Sequence, residues 1–199
     1  MKRLLLIRHG ETEWNALRRL QGQCDIALSP EGEAQARALA PLVASLAPGL
    51  VRSSDLRRAR RTADLLGHPA AEPEPGLREQ ALGDWEGREI AEICAESREE
   101  YLAWRAGRFT PPGAEDWTLF RSRIRQVIEE AFAAGPDTVA LVCHGGVIRA
   151  ALDASLSLSP SKIIPVGPAS LTVLAHTGSE VRLEAFNVRG QDLVLDAPD

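Results

Sequence analysis

Two apolar runs in this chain end in a histidine followed by glycine. Leu4-Leu5-Leu6-Ile7 runs into Arg8-His9-Gly10, and Val139-Ala140-Leu141-Val142-Cys143 runs into His144-Gly145-Gly146. A neutral imidazole nitrogen is a competent nucleophile, and a guanidinium beside it can hold a phosphate or carboxylate in bidentate fashion. On Arg8-His9 alone a plainer alternative stands, an arginine paired with some carboxylate and a histidine that merely packs. The second ending shifts the balance, because the chain holds only four histidines and two of them fall at strand–helix junctions.

Continuous apolar runs bounded by glycine read as strands buried on both faces, the kind found in parallel sheets. In open α/β sheets, ligands bind just beyond the carboxyl ends of the strands. If the two strands are parallel neighbours, about 4.8 Å apart, both imidazoles point into one crevice. Ser53-Ser54-Asp55 precedes a helix whose N-terminal amides offer a further anion site. In that helix Arg58 is not separated by periodicity from Arg57, Arg60 and Arg61, for which a solvated face is the default. Glu79, among turn residues, reads either as a proton donor or as a surface acid.

The elements that must position these groups alternate between strand and helix. Residues 10–28 form a loop. A helix then starts at Ser29 as N-cap with Pro30 at its first position, buries Leu39, Leu42, Val43 and Leu46, and should kink at Pro41. Leu50-Val51 is a short strand, and Leu56, Ala59, Ala63 and Leu66 stripe the next helix. Residues 67–76 are a connector, and 77–87 a loop with special turn positions. Two amphipathic helices carry Ile90, Ile93, Cys94, Tyr101 and Trp104, then Phe120, Ile124, Val127, Ile128 and Ala131. The helix after His144 runs to about Leu158, and residues 169–175 and 181–186 form a hairpin at one sheet edge. The pattern predicts one α/β domain over residues 1–199.

Bulk properties narrow the function classes. With 199 residues there is room for one well-buried domain, and a net charge of −5 argues against a general nucleic-acid binder. No apolar run approaches the roughly 18 residues of a membrane span, and no cleavage site follows the first strand, so a cytoplasmic protein with no membrane partner is expected. Three widely spaced cysteines suggest neither a disulfide framework nor a zinc ribbon. Of the 23 basic residues only Lys2 and Lys162 are lysine, so any anion is held by arginine.

In order along the chain stand Arg8-His9-Gly10-Glu11-Thr12 with Trp14-Asn15, Ser53-Ser54-Asp55-Leu56 with Arg58-Ala59 and Thr62-Ala63, Leu77-Arg78-Glu79 with Gly83-Asp84-Trp85-Glu86-Gly87, and Val142-Cys143-His144-Gly145-Gly146. This ordered set resembles the histidine phosphatase superfamily, in its phosphoglycerate-mutase-like branch. The resemblance implies a three-layer α/β/α sandwich whose mostly parallel central sheet has an antiparallel edge strand. It implies that His9 is a nucleophile forming a phosphohistidine, that Arg8, Arg58 and His144 surround the phosphoryl oxygens, and that Glu79 protonates the leaving oxygen and then activates water. Asn15, Gln21, Gly22 and Gly145 would line the substrate side. No metal or other cofactor is implied, and the partner is a small phosphorylated metabolite.

The chain departs from the family pattern at Ala114 and Asp116, where a glycine and a serine are usual, and at Pro168, where asparagine is frequent. Both departures are expected to concern substrate recognition, with the remaining specificity residues in the 88–132 region. The glycolytic mutases of the family are longer and close over their intermediate. Here only 64 residues separate Glu79 from His144, and weaker exclusion of water favours hydrolysis over transfer back to substrate. A metal-independent phosphatase is therefore expected, with a cofactor-dependent phosphoglycerate mutase as the alternative. Two remoter readings are a cysteine-based phosphatase, since Cys143 to Arg149 fits C-x5-R, and a phosphoryl-binding scaffold without turnover. A monomer and a homodimer are both compatible with the sequence.

Overall fold

The computed structural model describes residues 1–190; the end of the expected 1–199 domain lies outside the described residues. Among the described residues there are six strands: β1 (Lys2–Arg8), β2 (Leu50–Ser53), β3 (Glu72–Pro73), β4 (Thr138–Cys143), β5 (Leu171–His176) and β6 (Val181–Val188). They form one sheet in the order β3-β2-β4-β1-β5-β6. The first four are parallel, β5 is antiparallel to β1, and β6 is antiparallel to β5. The expected hairpin thus forms the antiparallel edge pair, with β6 outermost.

The helices are α1 (Glu13–Ala16), α2 (Pro30–Ser45), α3 (Arg57–Leu65), α4 (Ile90–Arg105), α5 (Trp117–Ala133) and α6 (Gly145–Leu156). Side chains alternate across a strand, and the two faces of β1 bury different helices. Leu4 and Leu6 pack with Phe120, Ile124 and Val147 from α5 and α6. Leu5 and Ile7 pack with Leu39, Val43 and Ala59 from α2 and α3. These four β1 residues are wholly buried, each worth roughly 1.5–3 kcal/mol. The outcome is helix–sheet–helix in three layers. None of the described helices is long and apolar enough to cross a membrane.

Local chemistry explains where the sequence pattern and the structure part. The 10–28 segment is not all loop: Thr12 and Asn15 form a reciprocal capping box around the single turn α1. The 67–76 connector carries β3, paired with β2 at Arg52 and Ser53. The helix α2 runs through Pro41, which lies on the exposed face, where water can take the carbonyl that proline leaves unpaired. The interruption falls instead at Ser97 in α4, with φ −153° and ψ 89°. Its Oγ accepts the Glu100 N–H at 3.2 Å and so restarts the helix as a new cap.

Candidate functional site

Parallel pairing of β1 with β4 sets Arg8 opposite Cys143, so His9 and His144 leave the sheet side by side. Their ring centroids lie 5.1 Å apart in an edge-to-face arrangement. His9 is 3% exposed, and its Nδ1 lies 2.6 Å from the Gly10 carbonyl oxygen. A carbonyl only accepts, so Nδ1 carries the proton and Nε2 keeps a free lone pair. The glycine is required by crowding: a Cβ on Gly10 would stand 2.2 Å from the Gly32 carbonyl oxygen in α2. Burial first, then the charges of Arg58 and Arg8, hold the His9 pKa well below the ordinary imidazole value. The ring is neutral at physiological pH.

His144 has the opposite arrangement. Arg58 Nε donates to its Nδ1 at 3.2 Å, which puts the proton on Nε2, facing Ser54 Oγ at 2.9 Å. Burial and the neighbouring Arg58 also depress its pKa. Arg58 itself, wholly buried in the first turn of α3, donates further to the carbonyls of Cys24 at 2.7 Å and Gly22 at 2.8 Å. Arg58 is thereby separated from Arg57 and Arg61, which remain exposed.

Glu79 comes from the loop before the turn Gly83–Trp85. Its Oε2 accepts the Gly146 N–H and its Oε1 the Gln80 N–H, both at 2.9 Å. The carboxyl group therefore sits against the N-terminus of α6. A Cβ on Gly146 would stand 2.1 Å from Glu79 Oε1, so the second glycine of the His144 motif is what admits the glutamate.

His9, Arg8, Arg58, Glu79 and Gly145 line one cavity of about 410 Å³, in the size range of small-metabolite sites. Asn15, Gln21 and Gly22 line it as well. The cap at Thr12 holds Asn15 Oδ1 at 3.1 Å, leaving the amide NH₂ to be offered. Arg8 Nη1 donates to the Val166 carbonyl, while its Nε is buried without an acceptor among the described residues. Burial lowers the Arg8 pKa to about 10, still protonated at neutral pH. Five arginines line the cavity against two carboxylates. In a chain of net charge −5, this concentration of cations marks an anion site.

His144 is wholly buried behind the residues that line the cavity, with its Nδ1 on Arg58 and its ring 5.1 Å from that of His9. Other expectations need correction. The N-terminus of α3 is not an open anion site, because the Asp25 carboxylate accepts the Arg57 N–H there at 2.7 Å. Of the departures from the family pattern, only Pro168 reaches the cavity. Asp116 caps α5 through the Thr118 N–H at 2.8 Å, which is work a serine also does. The cavity lining outside the motifs is not confined to residues 88–132 either. Ile163–Val166 and Arg149 also form the wall, and the Ile163 and Val166 carbonyls hold Arg105 and Arg8. Segment 163–166 carries no chemical side chain that could have signalled this. The Cys143 thiol is wholly buried, which pushes its pKa far up, so no thiolate is available for a cysteine mechanism.

The family model of the histidine phosphatase superfamily (branch 1) matches residues 4–189. A glucosyl-3-phosphoglycerate phosphatase of Mycolicibacterium vanbaalenii is 42% identical, over 94% of this chain and 90% of its own. A probable phosphoglycerate mutase of Erwinia tasmaniensis is 34% identical, over 74% of this chain and 71% of its own. Among solved structures, a mycobacterial glucosyl-3-phosphoglycerate phosphatase complexed with VO3 superposes with a TM-score of 0.87 at 37% identity, covering 94% of this chain and 99% of that one. The chain belongs to the histidine phosphatase superfamily.

Proposed function

We propose that the protein is a metal-independent phosphatase of small phosphomonoesters that works through a phosphohistidine on His9. The observation that carries this reading is the His9 tautomer: Nδ1–H is tied to Gly10, and Nε2 is left unprotonated in a cavity rich in arginine. Nε2 attacks phosphorus in line, the ester P–O bond breaks, and Glu79, which enters the cycle as the carboxylic acid, gives its proton to the leaving oxygen. Water then attacks the phosphohistidine, Glu79 takes a proton from it, and the P–N bond breaks to release inorganic phosphate. Phosphoryl transfer needs mostly positioning and positive charge on the equatorial oxygens, which Arg8 and Arg58 supply. Arg58 is fixed by three hydrogen bonds to the chain, so little reorganisation is needed when charge develops.

Hydrolysis is favoured over mutase chemistry by the compact segment between Glu79 and His144. The extent of similarity supports the same reading, because the glucosyl-3-phosphoglycerate phosphatases are matched over 94–96% of this chain and the Erwinia tasmaniensis mutase over 74%. The names of those phosphatases make glucosyl-3-phosphoglycerate the first substrate to try. The test is phosphate release from a phosphomonoester panel in EDTA by wild type and His9→Ala. EDTA-resistant release that disappears in the variant supports the reading. Isomerisation of 3-phosphoglycerate without release would make the protein a mutase, and release that survives in His9→Ala would overturn the phosphohistidine route.

A further inference from the structure

Arg149 plays no part in the steps above, yet it is the most unusual cation in the molecule. It lies in α6, is 3% exposed, and its Nε and Nη1 have no hydrogen-bond acceptor among the described residues. Its guanidinium is instead held between two indoles, 5.2 Å from the Trp104 ring centroid and 4.8 Å from that of Trp117. Both indoles are fixed by their own N–H groups, Trp104 to Gln80 Oε1 at 3.2 Å and Trp117 to Asp153 Oδ2 at 3.1 Å. Gly107 makes room for the Trp117 ring, since a Cβ there would stand 2.7 Å from it.

Burying a cation without an acceptor is costly, and cation–π contact offsets only part of that cost. An anion beside Arg149, at the wall of the cavity it lines, would offset the rest. Arg149 lines the same cavity as His9, together with Arg105 and Tyr101. Arg105 contributes a second guanidinium, anchored by one long bond of 3.4 Å to the Ile163 carbonyl. The phosphoryl end already has its cations in Arg8 and Arg58. Arg149 and Arg105 therefore supply positive charge in excess of what one phosphoryl group uses.

We propose that Arg149, assisted by Arg105, is a specificity residue that reads a second oxyanion on the substrate, a carboxylate or a second phosphate, while the first phosphoryl group sits at His9. The inference rests on the hydrolase reading and narrows it to phosphomonoesters that carry a second oxyanionic group. Phosphomonoesters without one leave Arg149 buried and unpaired, and they lose by that difference.

The test compares matched pairs on the wild-type protein and on Arg149→Gln and Arg149→Lys. The pairs are 3-phosphoglycerate against glycerol 3-phosphate, and fructose 1,6-bisphosphate against fructose 1-phosphate. Wild type should prefer the member with the second oxyanionic group in at least one pair by about 10- to 100-fold in kcat/KM, and the pair that responds tells carboxylate from phosphate. Arg149→Gln should erase that preference mainly through KM, with the other member changed less than about threefold. Arg149→Lys should restore part of it, since the charge returns without the planar fork. Glycerate, which has no phosphoryl group, should inhibit wild type more than glycerol does if the carboxylate is read. This readout does not depend on a variant folding. Equal kcat/KM within both pairs for wild type, or a uniform loss across all substrates in a well-folded Arg149→Gln, would overturn the inference and leave the phosphatase standing. Failure of wild type to hydrolyse any member would overturn the hydrolase reading itself, and the inference with it.

Discussion

The two strand ends that deliver histidines look alike in sequence and act differently in the fold. At β1 the following carbonyl takes the Nδ1 proton, and the ring turns a bare Nε2 to the cavity. At β4 an arginine occupies Nδ1 and a serine hydroxyl faces Nε2, so the ring has no free nitrogen. Both rings are buried and held neutral by the same causes, burial and the charge of Arg58. The hydrogen-bond partners therefore leave one histidine with a free ring nitrogen and occupy both nitrogens of the other.

The contrast can be broken one partner at a time. His9→Ala should lower turnover by roughly 10⁴-fold or more, because no other group supplies the nucleophile; activity within tenfold of wild type would refute its role. Glu79→Gln should cost about 10²- to 10⁴-fold, and the loss should shrink for a nitrophenyl ester whose leaving group needs no proton. His144→Gln should cost less, about 10²-fold, by releasing Arg58 rather than by removing chemistry. Cys143→Ser should leave activity nearly unchanged and cost at most about 1–3 kcal/mol of stability, for burying a hydroxyl.

Acid sensitivity sharpens the same comparison. Both histidine pKa values are lower in the folded protein than the unfolded value near 6.5, so above about pH 6.5 neither ring carries a charge in either state. Below it the unfolded chain binds the extra protons, and stability falls as pH falls, by up to roughly 1.4 kcal/mol per pH unit for each ring. Urea unfolding at pH 7.5 and 5.5 should show a shallower loss for His144→Gln than for wild type. An unchanged slope would contradict the depressed His144 pKa.

Most of what positions the chemistry could be read from the chain order. The buried runs Leu4–Ile7 and Val139–Cys143 require a two-faced parallel sheet, and a histidine at each end places both rings in one crevice. The sequence could not say which ring faces the cavity, since that depends on a Gly10 carbonyl, on Ser54, and on an arginine 86 residues from His144. It also could not separate an open helix N-terminus from one capped by Asp25, 32 residues before Arg57. Arg149 was visible only as the end of a C-x5-R spacing. Its meaning comes from Trp104 and Trp117, which reach it from two other helices. Glycine-marked turns and strand ends are local signals, whereas the pairing of a buried charge is set by the tertiary fold.

Whether phosphate passes through His9 alone can be read by an acid-avoiding quench of the wild-type protein during turnover of a labelled phosphomonoester, followed by digestion and peptide mapping. A base-stable, acid-labile phosphoryl group is expected on the peptide carrying His9 and none on the peptides carrying His144. Label on His144 or Cys143, or steady turnover that leaves no label under single-turnover quench, would contradict that route.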